Sequence, residues 1–230
     1  MDLTQFVATI EERGWATTAP LLADAEVVAL REAVAPLAVD GRGGARNLLV
    51  HASIRSLAAS PAVRSLAAAV LGDACFAVRA LLFDKTPAAN WKVVWHQDLT
   101  IATRQRVDVP GFGPWTEKGG VAHVQPPVAV LESMLAVRVH LDVCGPDNGP
   151  VRVIDGSHRH GRLSATQIDM LRRSEVERDC LAEQGAILAF RPLILHASAP
   201  ATAPAHRRVV HIEYAAAELP APLEWYERVA

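Results

Sequence analysis

Apolar residues recur at three- and four-residue intervals in the first third of the chain, and after Cys75 the pattern changes to short β-prone runs. The first pattern predicts helices over Leu3 to Arg13 and Leu21 to Ala35, and a third from Ser60-Pro61 to near Gly72, proline suiting a first helical turn and glycine a stop. The second predicts strands in CFAVRALLF, WKVVWH, MLAVRVHL, PVRVID, GAILAF and RRVVHIEY, separated by Gly, Pro, Asn and Asp. Helices first and strands afterwards argue for a mainly antiparallel β core with helices packed outside it, not for a doubly wound sheet. The expected organisation is one domain over 1–230, with a helical buttress at 1–74 and a β core at 75–215. Between Leu99 and Val130 runs a Pro- and Gly-rich stretch without a convincing period, including PGFGPW and HVQPP. A loop this long inside a compact domain is usually functional, so 99–130 is expected to be a lid or pocket wall.

Composition narrows the function. Half of the 230 residues are hydrophobic and 21% are charged, enough for a sizeable core. The net charge of -2 and the lack of any basic run argue against nucleic acid as a partner. Three cysteines without a CxxC pair fit neither a disulfide framework nor a structural zinc site, and a reducing cytoplasm is the expected home. Charged residues interrupt the N-terminal segment, and no apolar run is long enough to cross a bilayer, so no membrane partner is expected. A small-molecule substrate is the natural partner, and oligomeric state is not legible.

His96 and Asp98 end the run WKVVWHQD as a His-x-Asp pair, and residues two apart in a strand share a face, so both can reach one metal ion. His196 is the best candidate for a third ligand, because it follows the apolar strand AILAFRPLIL, where an inward polar residue needs a reason. Two histidines and one carboxylate with positions left open are the donor set of non-haem Fe(II) oxygenases. Ser198 stands two residues beyond His196, and Arg207 eleven. An arginine beside a buried metal wants an anion, and its planar fork matches a carboxylate. Arg208 competes for that role, but alternation puts Arg207, Val209, His211 and Glu213 on one face and Arg208, Val210, Ile212 and Tyr214 on the other.

In MLAVRVHLD, Ala136, Arg138, His140 and Asp142 share a face that should line the interior; Arg138 either serves the site or pairs with Asp142 or Glu132. Trp115, His123 and Gln125 on the 99–130 stretch are candidates for orienting a polar substrate, and Lys85 and Arg46 for an anionic substrate group. Gly156-Ser157-His158 lacks the pattern of a nucleophile elbow. Gly41, Gly43 and Gly44 fit neither a dinucleotide nor a phosphate-loop fingerprint.

Three motifs in this order, WHQD at 95–98, NGPVRVIDGSH at 148–158 and the His196, Ser198, Arg207 spacing of HASAPATAPAHR, give the chain a family likeness. From Leu81 to Tyr214 it resembles the phytanoyl-CoA dioxygenase-like (PhyH) family of Fe(II)/2-oxoglutarate-dependent oxygenases. The resemblance implies a double-stranded β-helix, a jelly-roll barrel of the cupin type, with Fe(II) held by His96, Asp98 and His196. It also implies 2-oxoglutarate as cosubstrate, its distal carboxylate on Arg207 and Ser198, with Arg138 touching it and O2 at the last open position. The implied reaction is hydroxylation of a small molecule with release of succinate and CO2. Asp98 favours this over halogenation, because related halogenases lack that carboxylate. Three alternatives stay open: a metal-dependent cupin hydrolase or isomerase, in which Arg207 is dispensable; a ligand-binding cupin without turnover; and oxidation of a protein substrate. Acyl-CoA is disfavoured, because no basic cluster for its phosphates stands out in the sequence.

Overall fold

The computed structural model describes residues 2–38 and 43–230, so Gly41 of the GRGG stretch lies outside the described residues. The amino-terminal part holds α1 (Leu3–Arg13), β1 (Trp15–Thr17), α2 (Asp24–Val34), β2 (Gly44–Ala45), α3 (Ala52–Ala59) and α4 (Pro61–Leu71). The middle holds β3 (Phe76–Lys85), β4 (Val93–His96), β5 (Ile101–Thr103), β6 (Trp115–Lys118), β7 (Val121–Val124), α5 (Val128–Glu132) and β8 (Met134–His140). The last part holds β9 (Val151–Ile154), α6 (Ala165–Ser174), β10 (Glu177–Cys180), β11 (Ile187–Phe190), β12 (His196–Ser198) and β13 (Arg207–Ala215).

A major sheet in the order β1-β11-β8-β13-β3-β2 faces a minor sheet in the order β10-β9-β12-β4, all antiparallel, in a jelly-roll double-stranded β-helix. Period-two alternation divides the major sheet into two chemistries. Leu135, Val137, Val139, Leu141, Val210, Ile212 and Tyr214 point outward and pack with Phe6, Ile10, Val27, Ile54, Leu57, Val63 and Leu66 of the helices. The Tyr214 hydroxyl donates to the Ala58 carbonyl at 2.6 Å, tying β13 to α3. Inward, Ala136, Leu188 and Phe190 meet Val151, Val153, Cys180 and Ile194 of the opposing side, which closes one end of the sandwich with apolar side chains.

The helices obey their local signals. Asp2 caps α1 by accepting from the Gln5 amide, and Gly14 ends it at φ +84°. Pro61 begins α4 and Gly72 follows it. α2 starts at Asp24 rather than Leu21, because the Glu26 carboxylate accepts from the Ala23 amide and fixes the start there.

Four expectations need correction. The 99–130 stretch, in which no period is visible, carries regular structure: β5-β7-β6 form a small antiparallel sheet, followed by α5, and Leu99, Thr100 and Lys118 supply part of the wall of a pocket. Strands of three and four residues are too short to display a period. AILAFRPLIL is not one strand, since β11 ends at Phe190, the chain turns through Pro192, and His196 opens β12 in the other sheet. Residues 1–74 are more than a helical buttress, because β1 and β2 form both edges of the major sheet. The β core also does not finish at 215: Val229 bridges Ala77, and Trp225 bridges Thr103.

Candidate active site

The metal-ligand geometry follows from two strands. His96 at the end of β4 and His196 at the start of β12 are cross-strand partners, which brings their rings to 4.2 Å between centroids. The chain beyond β4 turns so that the Asp98 amide donates to the Pro192 carbonyl at 2.9 Å. Asp98 then presents its carboxylate 3.7 Å from His96 Nε2 and 3.8 Å from His196 Nε2. One potential donor atom from each of the three residues lies within 4.8 Å of the others. Both histidines donate Nδ1–H to the carbonyl two residues back, Val94 and Ile194, at 2.9 Å each. That fixes the tautomer and leaves each Nε2 lone pair toward the carboxylate, the second-shell arrangement of metal-bound imidazoles.

Electrostatics suit a cation. Burial pushes the Asp98 carboxyl up, but His196, His211, His96 and Arg79 together outweigh it and hold it at about 2. Burial takes His196 down to about 4 against the pull of Asp98, so it is neutral and able to ligate. Between them Gln97 faces the opposite way. Its amide donates to Gly161 O at 2.8 Å and Leu193 O at 2.7 Å and accepts from the Leu163 amide at 2.8 Å, clamping the ligand-bearing segment to the scaffold.

The triad opens into a cavity of about 340 Å³ between the two sheets. At one end stand Lys85, Arg138, Ser198 and Arg207, all buried. Arg207 Nη1 donates to the Gly149 carbonyl, and Ser198 Oγ donates to the same oxygen at 2.9 Å. Lys85 Nζ donates to Ser198 Oγ at 2.7 Å and to the Ala199 carbonyl. Gly149 sits at φ +69°, and a Cβ there would lie 2.5 Å from Ala199 O and 2.6 Å from Lys85 Nζ, so the Asn-Gly turn is what lets its carbonyl gather these groups. Burial, then the Arg207 and Arg138 charges, lower Lys85 to about 8.

No carboxylate among the described residues neutralises this end. Arg138 lies over the Phe83 ring and its Nη1 meets His211 Nδ1 at 3.3 Å, while Asp142 is held by Arg31 and Arg208. The Arg138–Asp142 pair is therefore absent, and Arg208 is the structural arginine. His140 is buried with both ring nitrogens unpartnered, and burial plus the Arg138 and Arg207 charges keep it neutral down to about 3. The Nε atoms of Arg138 and Arg207 are likewise buried without partners. Orphaned cationic donors fit an anionic ligand, and the three-residue donor set fits a divalent metal.

Other candidates fall elsewhere. Lys85 joins Ser198 and Arg207 instead of standing apart as a substrate residue. Trp115, His123 and Gln125 do not line the cavity. Trp115 packs with Phe76, Val78 and Ile101, and His123 is buried with Nδ1 on the Val121 carbonyl. The residue β6 does supply is Lys118, the cross-strand partner of Val121, whose Nζ donates to Thr100 Oγ1 at 3.0 Å. Arg46 does reach the cavity, together with Arg79. Arg79, His211 and Glu213 were the residues most accessible to sequence reasoning but unassigned: alternation along RALLFDK and RRVVHIEY puts them on the same inward faces as Lys85 and Arg207. Ser157 is structural, donating to the Ile154 carbonyl and accepting from the Leu195 amide.

A jelly-roll with a two-histidine, one-carboxylate site beside a cationic pocket defines a cupin-type fold with a candidate metal centre. The chain belongs to the phytanoyl-CoA dioxygenase (PhyH) family, which it matches over residues 10–209. No curated protein matches the sequence. Among solved structures, EctD from S. alaskensis with bound Fe is 19% identical, with a TM-score of 0.73 over 96% of this chain and 80% of that one. SnoK, described as a non-heme alpha ketoglutarate dependent carbocyclase from nogalamycin biosynthesis, is 15% identical, with a TM-score of 0.71 over 93% of this chain and 84% of that one. EvdMO1 is 20% identical with a TM-score of 0.70 over 93% of this chain, which spans about half (49%) of EvdMO1. These structures share the fold.

Proposed function

We propose that the protein is an Fe(II)- and 2-oxoglutarate-dependent dioxygenase that hydroxylates a small molecule. The observation that carries this reading is the convergence of His96 Nε2, His196 Nε2 and the Asp98 carboxylate beside a buried, carboxylate-free cluster of Lys85, Arg138 and Arg207. His96, Asp98 and His196 hold the iron, and three donors leave room for exogenous ligands. When bound, iron with 2-oxoglutarate and O2 supplies the oxidation of an unactivated C–H bond, with succinate and CO2 as coproducts. Arg207, Ser198 and Lys85 receive the distal carboxylate, and their shared anchor on Gly149 and Ala199 carbonyls keeps them in place before it arrives. Arg138 stays charged over Phe83 and orients the same anion. Leu81, Phe83 and Val151 line the wall and exclude water from the reacting centre.

The full carboxylate-bearing triad favours hydroxylation over halogenation. EctD has been solved with 2-oxoglutarate and 5-hydroxyectoine, a hydroxylated compound by name. The test is substrate-free turnover in air: Fe(II) and 2-oxoglutarate should yield slow succinate formation that stops with Zn(II) in place of Fe(II) and in Arg207→Met. Protein that binds Fe(II) yet neither binds nor consumes 2-oxoglutarate would overturn the proposal.

A further inference from the structure

We infer that the open end of the cavity is a second anion site, formed by Arg46 and Lys118 with Arg79, and that it takes the oxyanion of an acidic small-molecule substrate. The inference deepens the proposed function and rests on it for the identity of the first anion. The inward face of β3 shows the spacing: Arg79, Leu81, Phe83 and Lys85 all line the cavity. Lys85 belongs to the oxo acid end, whereas Arg79 is six residues away, about 20 Å along a strand at roughly 3.3 Å per residue. The triad stands between the two ends, because Phe190 packs against both His196 and His211, and His211 is paired with Leu81, two residues from Arg79 and four from Lys85. A five-carbon diacid running from Lys85 to the metal is used up at the metal. The other cationic end faces something else.

Its charges do not cancel. Arg79 is held by Glu213, which also accepts from His211 Nε2 at 3.2 Å, so that carboxylate is engaged. Arg46 and Lys118 pair with no carboxylate among the described residues; Lys118 has the Thr100 hydroxyl alone. They come from three separate segments of the chain with Arg79 and lean on one cavity whose wall is Leu81, Phe83 and Trp91. Burial first, then repulsion from Arg79 on Arg46 and from Arg79 and Arg46 on Lys118, lower both, against a smaller pull from Glu213 on each and from Asp98 on Lys118. Cations held together over an apolar wall are relieved by an incoming anion, and a guanidinium with an ammonium matches a carboxylate or phosphate. The ligand so defined has an acidic group at the Arg46–Lys118 end, an apolar body along Leu81, Phe83 and Trp91, and its reacting C–H toward His96, Asp98 and His196.

The test uses 4-phenylbutyrate and phenethyl phosphate as probes and neutral 4-phenylbutanamide as the control. Calorimetric titration follows on the anaerobic protein loaded with Fe(II) and 2-oxoglutarate, whose own binding is measured first and reports separately on the proposed function. At least one anion should bind tenfold or more tighter than the amide, and Arg46→Gln/Lys118→Gln should erase that preference while leaving 2-oxoglutarate affinity within twofold. If 2-oxoglutarate does not bind, the same titration on metal-free protein still decides: the preference should be lost in Arg46→Gln/Lys118→Gln and kept in Arg207→Met. Equal binding of amide and both anions, or a preference lost only in Arg207→Met, overturns the second site.

Discussion

His96 and His196 face each other across β4 and β12, and each donates Nδ1–H to the carbonyl two residues before it. The pairing is symmetrical in its chemistry, so neither imidazole can substitute for the other. His96→Ala and His196→Ala should each lower Fe(II) affinity by more than about 100-fold, beyond the 10- to 100-fold loss usual for residues that only support a ligand. Competition against a chelator of known affinity measures this; a loss under tenfold in either variant would remove that histidine from the metal site.

Lys85 gives the site a pH signature. Burial first, then Arg207 and Arg138, lower its ammonium to about 8, and an incoming carboxylate raises it again. The protonated form binds the anion, so affinity for 2-oxoglutarate should be level below pH 8 and fall by up to tenfold per unit as pH rises through that value. Titrations from pH 6.5 to 9.5 should show the decline in the native protein and a flat, weaker profile in Lys85→Met. A decline unchanged in Lys85→Met assigns it to another group.

Gly149 ties the Asn-Gly turn to the anion pocket. Gly149→Ala combines a strained positive φ with a Cβ 2.5 Å from Ala199 O and 2.6 Å from Lys85 Nζ. It should cost about 1–3 kcal/mol of stability, as such backbone positions do, and weaken 2-oxoglutarate binding at least fivefold by displacing Lys85 and Ser198. Thermal unfolding and ligand titration check the two effects. Unchanged ligand affinity would mean that the Gly149 carbonyl does not organise the pocket.

Gln97 lies between the ligands in sequence and holds three backbone groups, the Gly161 and Leu193 carbonyls and the Leu163 amide. Gln97→Leu leaves those buried groups unpaired, at about 1–3 kcal/mol each where water cannot replace the amide. A lower Tm together with weaker Fe(II) binding is expected. A lower Tm with native metal affinity would show that the clamp supports the fold alone.

Alternation made much of this legible. The opposed faces of Arg207 and Arg208 and the inward placement of Arg138 follow from a period of two, and the structure has Arg208 on Asp142 and Arg207 in the cavity, whereas β4 ends at His96 and Asp98 reaches the site from the turn beyond it. Local pattern could not foresee contacts made through the sheet order. The cationic group at the cavity mouth draws Arg46, Arg79 and Lys118 from distant segments, which is why no basic cluster stood out along the chain. Lys85 carried a charge with no visible partner in sequence; only the pairing of β3 with β13, which sets it opposite Arg207, puts it at that end of the cavity. Within 99–130, strands of three or four residues hid the small sheet, and aromatic and histidine residues that looked functional went to its packing.

The most direct test of the central claim is an anaerobic titration of the metal-free protein with Fe(II) and then 2-oxoglutarate, followed by visible absorption. The account predicts a weak charge-transfer band that appears only after the oxo acid is added, saturates at one equivalent per chain, and is lost in His196→Ala. Tight Fe(II) binding with no band at saturating 2-oxoglutarate would contradict it.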